Sequence, residues 1–253
     1  MSEFAELHEE LRAVARDVLK APAPGWDLFA GAGWTGLEVP EDLEGAGVSF
    51  AEVAVILREM GRAAARTEYL GAGVLGVGTL LALEPGPERD DLLQKTATGE
   101  AVPVAVVGPG PGPFGMNETR LSGRVEFIPD AAAASRLLIL ARDTRGEPVI
   151  VDIPTGTAGL RVEAQPVVDE TRRLAVVTAD GAEGSVLRFA GDPEAAAGRL
   201  LDRAAVAIAC DSLGLMEAML ERTVAYAKAR QQFGRPIGSF RRCSTPAPTC
   251  SSR

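Results

Sequence analysis

"YAKARQQFGRPIGSF", residues 226–240, closes the longest uninterrupted helical pattern in the chain. Upstream, "EAAAGRLLDRAAVAIACDSLGLMEAMLERTVAYAKARQQFG" runs for more than thirty residues without a proline. Asp192 and Pro193 supply its cap and a first-turn proline. Leu200, Leu201, Ala204, Ala205, Ile208, Leu215, Met216, Met219 and Leu220 give it a broad apolar face, and Ala209, Ala218 and Ala227 allow close packing. A helix so long and apolar expects a partner of comparable length. Downstream, Gly234 and Gly238 permit tight turns, and Pro236 stops the helix from resuming. A guanidinium (Arg230) and a phenyl ring (Phe233) therefore share a short, stiff corner. Arginine suits phosphate oxygens through paired donors, and a ring can lie against a planar heterocycle.

The first hundred residues are helical in pattern. Phe4, Leu7, Leu11, Val14 and Val18 recur at three- and four-residue steps, with Ser2 as a plausible cap. "APAPGWDLFAGAGWTGLEVPEDLEGAGVS" then breaks regular structure with Pro and Gly. Ser49 and Glu52 have capping-box spacing and start a helix through "EVAVILREMGRAAA". Further helices are expected over residues 67–83 and near "PERDDLLQKTATG". From about residue 101 the pattern changes. "AVPVAVVG", "TRLSGRVEFI", "SRLLILARD", "EPVIVDIP", "LRVEAQPVV", "RLAVVTADG" and "SVLRFA" are short apolar runs separated by Gly, Pro and Asp, a β unit of about seven strands. The expected fold is α+β and multi-domain. An N-terminal helical domain covers 1–100, a β-barrel or sandwich domain 101–191, and the first long helix of a C-terminal helical bundle 192–240.

Composition narrows the function. Hydrophobic residues make up 46% and charged residues 24%, typical of a soluble globular protein. A net charge of −9 with no dense Lys/Arg window argues against nucleic-acid binding. The apolar run "YLGAGVLGVGTLLAL" is too short to span a bilayer. With no secretory signal pattern, a cytoplasmic location is expected. The three cysteines form no disulfide framework. His8, the only histidine, sits among acids and reads as solvated. No His/Cys cluster has metal-ligand spacing. Gly108–Pro113 alternates glycine and proline, which removes backbone donors, and reads as a rigid loop rather than a phosphate cradle. Nothing resembles a nucleophile elbow.

Taken together, "YAKARQQFGRPIGSF" and "AGWTGLEVPEDLEGAGVSFAEVAVILREMGRA" resemble the acyl-CoA dehydrogenase family. The first is similar to the family's Arg-x-x-Phe-Gly-x-Pro-Ile signature, and the order of helices, β unit and long helix is also similar. The resemblance implies FAD as cofactor and an acyl-CoA thioester as substrate, desaturated between its α and β carbons in fatty-acid or sterol side-chain oxidation. A carboxylate base takes the α proton while hydride passes to the flavin. It further implies an electron-transfer flavoprotein or similar acceptor, and a homo- or hetero-oligomer of related subunits. Carried onto this sequence, the family's contacts to the flavin dinucleotide of a neighbouring subunit fall on Arg230, Gln232 and Phe233, with Gly234 shaping the turn. No catalytic residue and no metal ligand is assigned.

Two departures qualify the resemblance. "VAVVGPGPGPFGMNETRLSG" stands where most members carry a Thr-Glu-x-x-x-Gly-Ser-Asp-like loop. That favours a second reading, a non-catalytic subunit completing a partner's flavin site. A flavin-dependent monooxygenase on the same scaffold is a third. The family also continues into long helices that supply the base, whereas residues 241–253, "RRCSTPAPTCSSR", have another composition. One choice of codons for this tail, with a single base restored, reads FQAVQHACADMLLA, which continues the signature. The expectation is a truncated, frame-shifted chain, inactive alone, with an aberrant tail.

Overall fold

The computed structural model describes residues 3–21, 24–108 and 112–240. The readings placed on Ser2, on the middle of the Gly108–Pro113 loop and on the 241–253 tail lie outside the described residues.

The N-terminal layer comprises α1 (Glu3–Val18), α2 (Trp26–Gly31) and α3 (Phe50–Ala63), followed by a π-helix (Tyr69–Gly76), α4 (Val77–Leu81) and α5 (Pro87–Ala97). Ser49 caps α3 as its spacing predicts. Its Oγ accepts from Ala51 N at 3.2 Å, and its own N–H donates to Glu52 Oε2 at 3.1 Å. The other oxygen of Glu52 lies 3.1 Å from His8 Nε2. His8 is therefore half-buried rather than solvated, because α1 crosses the start of α3 and brings the imidazole to this carboxylate. Phe29, Trp34 and Tyr69 form an aromatic knot beneath these helices, with Phe29 stacked on Trp34 at 5.3 Å. Tyr69 meets both edge-on, and its hydroxyl donates to the Trp34 carbonyl at 3.2 Å.

Within the expected 67–83 stretch residues 69–81 are helical, and the first two turns are wider than an α-helix. The glycines explain the contact they make. A Cβ on Gly76 would overlap the Pro103 carbonyl, and one on Gly71 would meet Pro129 O at 2.8 Å. The helix backbone thus lies directly against the sheet.

The sheet holds eight strands: β1 (Pro103–Val106), β2 (Phe114–Asn117), β3 (Arg120–Pro129), β4 (Arg136–Arg142), β5 (Pro148–Pro154), β6 (Leu160–Gln165), β7 (Leu174–Glu183) and β8 (Ser185–Leu187). Their order is β6-β7-β3-β2-β4-β5-β8, with β1 parallel to β4. Seven coincide with the apolar runs; β2, "FGMN", is the addition. It is short and poor in β-branched residues, and it is held by pairing with β3 in register Met116–Leu121. Inward side chains of β1 to β7 meet in one core, so the sheet curls around its own interior. Strands β4 and β5 are buried on both faces. Leu137, Ile139 and Val151 face that interior, whereas Leu138, Leu140 and Ile150 pack with Leu80, Leu93 and Leu200 of the helices.

The long helix α6 (Pro193–Ala229) begins on the predicted cap, Asp192 Oδ1 accepting from Glu194 N at 2.9 Å and Ala195 N at 3.2 Å. It crosses α3 at two glycines. A Cβ on Gly214 would overlap the Arg58 carbonyl, and one on Gly61 the Asp211 carbonyl. Ion pairs flank the crossing: Arg58 with Glu217 and Arg62 with Glu221, while Arg16 of α1 reaches the buried Glu59 at 2.9 Å. The predicted apolar face divides here. Ala207, Gly214 and Ala218 are buried, whereas Ile208, Met216 and Leu220 are 54%, 61% and 61% exposed. Small residues set the distance to α3, and the large ones face away from it.

Gly214→Ala tests this crossing. In an unobstructed helix the change stabilises by about 1 kcal/mol. Here the methyl group meets a backbone carbonyl that moves only if the helices separate, so a net loss of about 1–3 kcal/mol is expected in urea unfolding. A gain would show that the helices are not in backbone contact.

Candidate functional site

The segment after Ala229 folds as a small hairpin at the end of α6. Arg230 leaves the helix in extended conformation, with φ −72° and ψ 123°. Strands β9 (Gln231–Gln232) and β10 (Arg235–Pro236) pair antiparallel, Gln232 opposite Arg235. The two residues between them, Phe233 and Gly234, have φ of +52° and +71°, the positive pair that a type I′ loop demands. Glycine accepts that geometry freely; phenylalanine does so at the cost of a strained backbone. The hairpin is braced against the helix. Ile237 N donates to the Arg230 carbonyl at 2.8 Å, and Gly238 lies over the Ala227 backbone with no room for more than a Cβ.

Side chains on this frame divide into occupied and free. Arg235 is occupied, its guanidinium lying 4.2 Å above the Phe240 ring. Phe240 also meets Phe233 edge-on at 6.2 Å. Arg230 has no hydrogen-bond or ion-pair partner for its guanidinium among the described residues. Gln232 is exposed, and Phe233 is 92% exposed. All four predicted residues thus sit within one turn of chain. They present an exposed amide, an exposed ring and a cation without a partner among the described residues, from a strained corner. Such a set fits an anionic, planar ligand: the fork of Arg230 can take two phosphate oxygens, and Phe233 offers a face.

One comparable feature escapes the sequence. Phe127 has φ +61° and is 59% exposed. It sits at an irregularity between Val125 and Ile128, where β3 slips against β7, and its N–H donates to Gln165 Oε1 at 3.0 Å. Alternation along "RVEFIP" gives no sign of this bulge, since nothing local requires it. The Gly108–Pro113 loop between β1 and β2 contains no hydroxyl, amide or carboxylate side chain. Among the described residues no three His, Cys, Asp or Glu are placed to hold a metal ion, and no helix is long and apolar enough to cross a membrane.

Comparison with known proteins places these features in context. Residues 2–100 match the model for the acyl-CoA dehydrogenase N-terminal domain, and residues 194–246 the model for the acyl-CoA dehydrogenase C-terminal domain. The chain is 32% identical over 210 residues to acyl-CoA dehydrogenase IpdE2 of Mycobacterium tuberculosis, covering 82% of this chain and 54% of that protein. It is 31% identical over 220 residues to acyl-CoA dehydrogenase FadE28 of the same organism, covering 85% of this chain and 62% of that one. It therefore spans between half and two thirds of these curated relatives. Among solved structures, a variant of the Tcur3481-Tcur3483 steroid ACAD superposes with a TM-score of 0.81 at 25% identity, over 95% of this chain and 72% of that one. Butyryl-CoA dehydrogenase from Megasphaera elsdenii shares the fold with a TM-score of 0.80 at 18% identity, over 96% and 74%.

Proposed function

The chain belongs to the acyl-CoA dehydrogenase family, an oxidoreductase family, and from that premise we propose that it serves in the α,β-desaturation of an acyl-CoA thioester within an oligomer of related subunits. The observation that supports this reading is the hairpin, on which Arg230 has no guanidinium partner among the described residues and Phe233 stands exposed at positive φ. The residues fit a flavin adenine dinucleotide. Arg230 would bind its pyrophosphate, Gln232 would hydrogen-bond along it, Phe233 would cover a planar ring, and Gly234 would keep the turn tight. Flavin, when bound, supplies the hydride acceptor. The hairpin residues orient that dinucleotide and exclude water from its phosphates; they move no proton themselves. Electrons would leave to an electron-transfer flavoprotein or a similar acceptor.

Arg230→Ala is expected to weaken flavin binding by about ten- to a hundredfold, the worth of a charge-assisted hydrogen bond at about 1.5–3 kcal/mol. Fluorescence titration of FAD against the assembled protein measures it. Unchanged affinity would remove Arg230 from the site.

A second reading, a non-catalytic subunit completing a partner's flavin site, is favoured by the Gly108–Pro113 loop, which offers a cofactor no polar side chain. The fold is also found in the ChsE4-ChsE5 complex from Mycobacterium tuberculosis, an assembly named for two different chains. Co-expression separates the two. Yellow protein from this chain alone supports the first reading, and flavin retained only with a second gene product supports the second.

A further inference from the structure

We propose that a second copy of this chain seats antiparallel along the outer side of α6, about a two-fold axis near Ser212, and that this contact makes the chain a dimer. The body of the chain covers α6 from one side, where Ala196, Leu200, Ala207, Gly214 and Ala218 are buried. The opposite side repeats every seven residues. Gly198, Ala205, Ser212, Met219 and Tyr226 run down its midline, with Ile208 and Leu215 on one edge and Ala209 and Met216 on the other. All of these but Ser212 are exposed. A copy seated there keeps its own body on the far side of the helix pair, and a two-fold makes the contact closed.

Side-chain size sets the direction. The midline is small at its start and large at its end, so a neighbour turned end for end about Ser212 fits it. Tyr226 of one copy then falls on Gly198 of the other, Met219 on Ala205, and Met216 on Ile208. A parallel neighbour would crowd Tyr226 against Tyr226 and leave a void between the two Gly198 residues. Gly198 has no use within its own chain: a Cβ there would meet nothing within 4 Å, although glycine weakens a helix interior. It lines a recess of about 160 Å³ with Leu140, Pro148, Leu201 and the paired Arg142 and Glu194, apolar walls for a ring and polar groups for its hydroxyl. Charge agrees. Asp202 and Arg222 are exposed and have no ion-pair partner among the described residues. The rotation exchanges their places, so opposite charges meet twice across the pair. Covering the strip in both copies buries about 1,200 Å² in total, the lower bound of a stable interface.

The pairing does not depend on flavin binding by the hairpin, and its test needs no cofactor. Sedimentation equilibrium of the full chain should show a dimer at about 10 μM, since interfaces of this size give micromolar or tighter dissociation constants. Asp202→Arg sets like charges together twice and should weaken the pairing at least about tenfold. Adding Arg222→Asp to the same chain should restore it, because the exchanged charges meet again only in the antiparallel arrangement. Gly198→Leu fills the recess and should weaken the dimer as much, while circular dichroism shows the chain still helical. A chain that stays monomeric at about 100 μM, where a micromolar complex is nearly saturated, would overturn the proposal and leave the face to an unlike subunit. So would a dimer indifferent to both Asp202→Arg and Gly198→Leu, or one that the double charge exchange fails to restore. The two sites are tested independently, so a misfolded variant at one leaves the other decisive.

Discussion

Arg203→Leu is expected to destabilise this chain by about 3–5 kcal/mol, the cost of leaving a buried carboxylate without its counterion. Arg203 projects from α6 into the N-terminal layer, where its guanidinium pairs with Glu38. The side chains are 17% and 9% exposed, so solvent screens the pair little. Its Nε donates to the Val74 carbonyl at 2.9 Å, and its plane lies 4.6 Å above the Phe50 ring. Gly78 makes room for it, since a Cβ there would overlap Nε. One side chain thus ties α6 to the π-helix, to α3 and to the loop before it. Urea unfolding measures the loss. The double change Arg203→Leu with Glu38→Leu should recover most of it, because the orphaned charge goes too. A loss below about 1 kcal/mol would assign the pair to the class of screened surface contacts.

Tyr69→Ala is the second large effect, at about 3–5 kcal/mol for emptying an aromatic site in a closed core. Tyr69 is fully buried, its ring is fixed edge-on by Phe29 and Trp34, and Gly73 leaves the space it fills. Burial raises its hydroxyl well above the ordinary tyrosine value, so the group stays a donor to Trp34 O throughout the range where the chain is folded. Tyr69→Phe keeps the ring and removes only that bond, so a loss of about 1 kcal/mol is expected. The two thermal midpoints should separate clearly. Equal losses would mean that the hydroxyl, not the ring, carries the site.

What the sequence made legible was chiefly what is local. Ser49 with Glu52, and Asp192 with Pro193, announce their helices because a cap is made within three residues of itself. Seven strands show in their apolar runs; β1, β3, β4, β5 and β7 bury a face, while β6 and β8 are only partly covered. Four-residue β2 does not show, since its place is set by β3 and β4 rather than by its own glycine and asparagine. The use of Gly61 and Gly214 appears only in the fold, where each lies under the other helix's carbonyl. His8 was misjudged for the same reason, its partner being forty-four residues away. At the candidate site, "QQFGRPIG" gave the corner through Gly234 and Pro236. Sequence alone could not distinguish Arg230, which has no guanidinium partner among the described residues, from Arg235, which is stacked on Phe240, and it passed over Phe127.

The row of large apolar side chains that α6 turns away from α3 has a thermodynamic consequence. Any molecule that covers Ile208, Met216 and Leu220 binds the folded chain and not the unfolded one, so by mass action it raises the melting point with the logarithm of its concentration. The stability of this fold is then a joint property of chain and companion, and a melting temperature describes it only when the companion's concentration is stated beside it.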